Sequence, residues 1–384
     1  MKPLILDVET TISNKGNPFD QSNKLVCVGI KTKEVSEILY IPGSLEDYMY
    51  LQGYIDSCDI LVGFNIKFDL HWLRKIGIKF DHKPIWDCQL GEFILNNQKI
   101  KMPSLDDSCE RRGLGKKIDT IKLNYWDKGI NTDEIPREEL SEYLAQDLAL
   151  TEELYKIQRE IFQKDNRYRV FKLQCQDLLV LEEMEWNGLV FNTEKARARA
   201  KELQGTLDGI YKEILNTVGN IPININSNHH LSAILYGGNI VVESRIPIGV
   251  FKTGKKIGQI RNKVIKKVYE LPRLVEPLKN TEAKVPEGSL PIWKTNEDIL
   301  RALKANKSTR YLINLCLEFA SVEKLRGTYL EGWSNLIDKM NWPHNKIHGN
   351  LNQTTAITCR LSSTKPNLQN ADPITKIYCE SRYE

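Results

Sequence analysis

The sequence predicts an α/β fold: a mixed sheet with flanking helices in the first part of the chain, followed by a mainly helical region. Three observations predict it. The chain opens on a buried-strand pattern, Leu4-Ile5-Leu6-Asp7-Val8-Glu9-Thr10. Further segments rich in β-branched and apolar residues then alternate with helical patterns as far as Gln163. Beyond Asp165 long stretches with three-to-four apolar spacing take over, and strand signals become few.

Taken in order, residues 24–32 and 37–41 read as the second and third strands, pairing with the first as a meander. Residues 44–57 form a helix capped by Ser44, and Asp59-Ile60-Leu61-Val62-Gly63-Phe64 is a short apolar strand. The segment 65–73 is a helix with Asn65 as its N-cap and Asp69 in its first turn, where the helix dipole favours a carboxylate. Helices over 87–97 and 104–112 carry Asp87 and Ser104 in capping positions. A long amphipathic helix spans 137–163. On it Tyr143 and Asp147 are four apart and share a face, and small Ala145 and Ala149 would let the helix lie close to a sheet. The patterns over 170–186, 193–218 and 296–340 are helical, broken at Asn187-Gly188 and at Gly219-Asn220-Ile221-Pro222.

The 384 residues suffice for two or three domains, and 41% hydrophobic with 27% charged residues is an ordinary soluble balance. A net charge of +4 does not by itself indicate a polyanion partner, but the basic residues are uneven. Between Arg245 and Lys284 eleven lysines and arginines face only Glu270, Glu276 and Glu282, the footprint of a phosphate-backbone contact or of a solvated insertion. The eight cysteines are scattered and include no Cys-x-x-Cys pair, which argues against a zinc ribbon or a disulfide framework and for a reducing cytoplasm. No run approaches the roughly 18 apolar residues of a spanning helix, and Asp7 comes too early for a signal peptide, so no membrane role is expected. Gly249 to Lys255 imitates a phosphate loop, but Lys256 stands where Ser or Thr is needed and no strand-to-helix context surrounds it. His344 and His348 are four apart without a helical pattern, so a zinc pair is not expected.

The chemistry-bearing residues are acids. Asp7 and Glu9 project from one face of the first strand, because strand side chains alternate with period two. Two like charges that close repel unless one is protonated or a cation lies between them. Asp69 and Asp147, each an ordinary helix charge when seen alone, join them in a fixed order with Tyr143 four residues before the last.

Asp-Val-Glu-Thr on a strand, Asn-x-x-x-Asp at a helix start and Tyr-x-x-x-Asp on a later helix together resemble the tyrosine subclass of the four-acid 3′-5′ exonucleases. That resemblance implies a ribonuclease-H-like fold and in-line hydrolysis of a terminal phosphodiester by water. Such chemistry typically uses two divalent cations about 4 Å apart, and hard oxygen ligands suit Mg²⁺ or Mn²⁺. By the same resemblance Asp7 bridges both ions, Glu9 and Asp147 complete the shell of the first ion, and Asp69 acts on the second ion. Tyr143, with a reference pKa near 10, orients the metal-bound water rather than taking its proton. Thr10 and Asn65 match positions that contact the terminal nucleotides.

The second half is similar to family A DNA polymerases, the bacterial DNA polymerase I type, and the resemblance implies a phage-type member of that family. Val180 to Val190 looks like the opening of their thumb, and Asn226 to Leu235 like the loop and helix that follow. Thr358-Cys359-Arg360-Leu361-Ser362-Ser363, then Pro366-Asn367-Leu368-Gln369-Asn370, resembles the motif that opens their palm, with Cys359 in place of the usual Gly. The resemblance implies that Arg360 contacts the primer-template duplex in its minor groove, with Gln369 and Asn370 also at the DNA. It implies three regions: an exonuclease domain over 1–165, a thumb over 166–340 with a basic insertion near 245–291, and the beginning of a palm over 341–384. The expected function is therefore proofreading of a single-stranded 3′ end in DNA replication, in the cytoplasm, of the host if the chain is phage-encoded. No nucleotidyl-transfer motif is read before Glu384, so polymerisation is expected to need a second polypeptide with palm and fingers. The alternatives are an RNA-trimming exonuclease with the same acids, and a non-catalytic DNA-binding or assembly subunit.

Overall fold

A computed structural model describes residues 1–115, 120–250, 252–254, 257–284 and 292–381. By packing, the chain divides into two compact units, Met1–Thr193 with Trp333–Glu384, and Glu194–Gly332.

The first unit is built on strands β1 (Pro3–Thr10), β2 (Leu25–Lys31), β3 (Ser36–Tyr40), β4 (Ile60–Gly63) and β5 (Ile85–Asp87), in the order β3-β2-β1-β4-β5. The meander β1-β2-β3 is antiparallel as expected, whereas β4 and β5 join in parallel, which makes the sheet mixed. Helices α1 (Leu45–Ser57), α2 (Lys67–Lys75), α3 (Cys88–Leu95), α4 (Leu105–Arg111), α5 (Thr120–Asn124), α6 (Arg137–Phe162) and α7 (Tyr168–Asn187) follow in the same unit. Ser44 closes a capping box with Asp47 at the start of α1, and Ser104 caps α4 through the Asp107 N–H. The core fills with Leu4, Leu6, Val28, Leu61, Val62, Leu70, Trp72 and Phe93, all essentially sealed from solvent.

Residues from the far end of the chain complete this unit. Strand β6 (Leu189–Phe191) pairs with β9 (Lys346–Ile347) and β12 (Cys379–Glu380), a three-stranded sheet that the sequence did not signal.

The second unit contains α8 (Thr193–Thr217), α9 (Asn228–Tyr236), the hairpin β7 (Gly238–Val250) and β8 (Ile260–Leu271), α10 (Glu297–Ala302) and α11 (Lys307–Glu323). Its core gathers Ile214, Ile234, Leu235, Ile240, Leu312 and Ile313. Two expectations need correction here. The basic stretch from Arg245 contains long paired strands, and the helical pattern over 296–340 is interrupted. The interruption is local: Leu303 turns extended, and Asn306 restarts the helix by accepting the Thr309 N–H at 2.8 Å. After Glu323 the helix widens into π turns over Lys324–Glu331. Within the first unit, α12 (Gly332–Lys339) leads to β9, and β10 (Asn350–Asn352) pairs with β11 (Ser362–Thr364).

Candidate active site

Strand β1 presents Asp7 and Glu9 on one face while Leu6 and Val8 point to the other and are buried. The register with β2 shifts between Glu9 and Thr10, a bulge at the strand end next to the acids. Asp147 arrives from α6, and ligand oxygens of Asp7, Glu9 and Asp147 lie within 4.8 Å of one another. The approach of α6 to the sheet is not made by Ala145 and Ala149, which are half-buried and exposed. It is made by Gly29 on β2, where a Cβ would stand 2.8 Å from Leu148 and 2.9 Å from Leu144. A Cβ there would force the two leucines to shift, so Gly29 lets this stretch of α6 lie close against β2.

Asp69 is sealed in the first turn of α2 and accepts the Val8 N–H at 3.0 Å, which fastens that turn to β1 between the two strand acids. It lies outside the three-acid cluster. Burial, then the negative charge of Asp7, pushes its carboxyl well above the usual carboxylate range, and the Val8 N–H only partly offsets this. A divalent cation nearby would reverse the balance, because it is the largest charge such a site can hold.

Asn65 is not the N-cap of α2. Ile66 holds that position, and Asn65 adopts a left-handed backbone with φ of 57°. The N–H of Ile66 is taken instead by the Asp87 carboxylate at 2.9 Å, whose other oxygen accepts the Leu90 N–H at 2.9 Å and caps α3. One buried acid thus ties the beginnings of two helices together, and through α2 it positions Asp69. Its pKa is raised to about 6 by burial, against the pull of those N–H groups. Sequence reading saw only the local cap, because Asp87 and Ile66 are 21 residues apart.

The remaining predicted residues are placed as follows. Tyr143 packs edge-on against Trp126, ring centroids 5.7 Å apart. The Thr10 hydroxyl is buried and donates to the Thr11 carbonyl at 3.2 Å. Asn65 lines a small cleft with Asp87, Gln89, Asn352 and Gln353. Arg360, Gln369 and Asn370 are exposed, and the Gln369 amide donates to the Leu361 carbonyl at 2.9 Å. Cys359 keeps a positive φ of 56°, so the backbone geometry natural to glycine persists with a cysteine in place. His344 also has positive φ, while buried His348 stacks on Phe19 at 4.0 Å and donates from Nδ1 to the Glu185 carbonyl at 2.7 Å. They form no zinc pair. Of the apparent phosphate loop, Gly249 and Val250 end an antiparallel strand, and Lys255 and Lys256 lie outside the described residues.

A second ionic cluster sits along α2. Glu185 on α7 receives Lys67 Nζ at 2.5 Å and His71 Nε2 at 2.9 Å, and accepts the Leu351 N–H at 2.5 Å. Arg74 forks onto Glu182 at 2.7–3.2 Å, and His71 Nδ1 lies 3.1 Å from Glu182 without the alignment of a hydrogen bond. Burial would raise both glutamates, but His71 with Arg74 at Glu182, and His71 with Lys67 at Glu185, hold them below the usual range.

A mixed sheet with flanking helices and an all-carboxylate cluster at its central strand defines a ribonuclease-H-like nuclease domain. The cluster's hard oxygen donors fit a cation such as Mg²⁺ or Mn²⁺. The comparisons agree with this class. Residues 1–204 match the family described as 3′-5′ exonuclease, and residues 272–382 match DNA polymerase family A. The chain belongs to the 3′-5′ exonuclease family, and its later residues are similar to DNA polymerase family A.

Among its relatives, DNA polymerase I of Borreliella burgdorferi is 25% identical over 361 residues, covering 90% of this chain and 33% of that one. DNA polymerase DpoZ of Salmonella phage PMBT28 is 24% identical over 396 residues, covering 95% and 54%. The structure of the polymerase domain of Pol1 from M. smegmatis, in complex with DNA primer-template and dNTP, superposes with a TM-score of 0.67 at 14% identity. It covers 98% of this chain and 53% of that one, a likeness of fold. The chain spans from about a third to about half the length of the curated relatives DNA polymerase I of Borreliella burgdorferi and DpoZ. Among the described residues no helix is long and apolar enough to cross a membrane.

Proposed function

We propose that the sheet-centred unit is a divalent-cation-dependent 3′-5′ exonuclease that trims the 3′ end of DNA and proofreads during replication in the cytoplasm. The observation that carries this reading is the convergence of Asp7, Glu9 and Asp147 to within 4.8 Å, with Asp69 fastened to the same strand. Asp7, Glu9 and Asp147 would hold one cation and Asp69 with Asp7 a second. When bound, such ions activate water and stabilise the charge that builds on the scissile phosphate. Tyr143, on the face of α6 that carries Asp147, orients the attacking water with its hydroxyl. Thr10 and Asn65 flank the terminal nucleotides.

By function we divide the chain into an exonuclease region over 1–165, a thumb over 166–340 and palm residues over 341–384, with Arg360, Gln369 and Asn370 at the primer-template duplex. Any polymerase activity is proposed only jointly with a palm-and-fingers segment, of this or another polypeptide.

The test is release of label from a 3′-labelled single-stranded DNA with Mg²⁺. Asp7→Ala or Asp147→Ala is expected to lower the rate at least about 10³-fold, roughly 4 kcal/mol of transition-state stabilisation, and EDTA to abolish it. Undiminished release by either variant would overturn the assignment. Faster trimming of an RNA strand than of a DNA strand would overturn the choice of substrate.

A further inference from the structure

The register of the β7-β8 hairpin sorts its charges by face. Side chains directly opposite in an antiparallel pair share a face, and neighbours along a strand alternate. Arg261, Lys263 and Lys267 therefore stand on one face with Gly249, Ile246, Ser244, Val242, Ile265 and Tyr269. That face carries three cations and no acid. The opposite face carries Arg245 and Lys266 beside Glu243 and Glu270, and Glu243 meets Lys266 across the strands at 2.8 Å. Its charges cancel, and Val241, Val264, Val268 and Ile260 fill the space between them.

Only the root of the hairpin is built into its unit, through buried Ile240 and Leu271. From Glu243 outward every described residue of both strands to the tip is exposed. The edge of β7 is unsuited to adding another strand, because Pro247 has no N–H to donate and the register slips beside it. The faces are what such a ribbon can offer.

We propose that the cationic face of this ribbon is a docking surface for the phosphate backbone of duplex DNA. Alternate strand positions put Arg261 and Lys263 about 6.8 Å apart, a row of positive charge complementary to a row of phosphates. A two-stranded ribbon is also a shape that the major groove of a duplex admits. Lys267 lies over the Tyr269 ring at 4.7 Å, which keeps its side chain on that face. The proposal rests on the reading of the chain as DNA-binding and deepens it, yet it is independent of the carboxylate site.

The experiment measures binding of the full chain to a fluorescent 20-base-pair duplex in EDTA, as a function of salt. Two variants with equal loss of charge are compared, Arg261→Gln with Lys263→Gln, and Arg245→Gln with Lys266→Gln. The first pair is expected to weaken binding about tenfold and to flatten the slope of log K against log salt by nearly two, while the second changes affinity less than twofold. Equal effects of the two pairs, or no effect of the first, would overturn the proposal. So would tighter binding of the corresponding single strand at the same salt. Label release from a short single strand is expected to be the same in both variants, so loss of the exonuclease reading and loss of this one are told apart.

Discussion

Helix α2 carries two gatherings of charge that follow opposite rules. At its first turn, Asp69 faces a centre where Asp7, Glu9 and Asp147 bring like charges within 4.8 Å. From the start of the same helix onward Lys67, His71 and Arg74 meet Glu182 and Glu185, so that opposite charges pair and Leu351 supplies a further N–H. The first arrangement opposes folding and makes sense as a place that attracts cations. The second pairs opposite charges and fastens α2 to α7 and to the strand at Leu351. Charge in a folded chain marks chemistry where it accumulates and scaffolding where it cancels.

That contrast is open to breaking. The largest stability effect is expected at Glu185→Ala, which leaves Lys67, His71 and the Leu351 N–H without their shared acceptor. A loss of about 3–5 kcal/mol in urea unfolding is expected, against a change within about 1 kcal/mol or a gain for Asp147→Ala. Comparable losses in the two variants would erase the distinction.

The next effect concerns pH. Asp87 is raised from 3.8 to about 6, so its contribution to stability is fully present below the ordinary carboxyl range and is lost as pH rises through about 6. The linkage amounts to something on the order of 3 kcal/mol. Glu182 and Glu185 have the opposite sign, stabilising above their ordinary value of 4.5 and losing that contribution only as pH falls through their depressed values. In EDTA, the stability difference between the wild type and Asp87→Asn should therefore change by about 2 kcal/mol of that total between pH 6.5 and 4.5, in favour of the wild type at the lower pH. Parallel curves would show that the acid joining α2 to α3 does not titrate in this range.

The smallest effect is expected at Cys359→Gly. Removing a non-glycine residue from positive φ gains about 1–2 kcal/mol, which glycine's greater unfolded entropy offsets by roughly 0.5–1. Thermal melting should show a net gain between zero and about 1.5 kcal/mol, and a clear loss would mean that the thiol's packing outweighs the backbone.

How much of this was legible depended on the distance over which each feature is encoded. That Asp7, Glu9 and Asp147 would come together was legible because each sits on a local element whose period fixes its direction. The role of Gly29 was not, since it is visible only when Leu144 and Leu148 lie against it. Asn65 was misread as a cap for a similar reason, the Ile66 N–H being taken from β5 rather than from its own neighbour. The ribbon strands were missed because Val264-Ile265 and Lys266-Lys267 break the alternation expected of a half-buried strand. With both faces in water nothing selects for that period.

One detail of the first unit bears on how such a molecule could be assembled. The rings of Phe191 and Trp333 pack at 5.4 Å, so the main chain departs from this body and rejoins it at a single doorway. The stretch running from Glu194 to Gly332 is in that sense a guest module, lodged between two neighbouring points of its host. Neighbouring points of that kind are where chains tolerate insertion or exchange of whole segments.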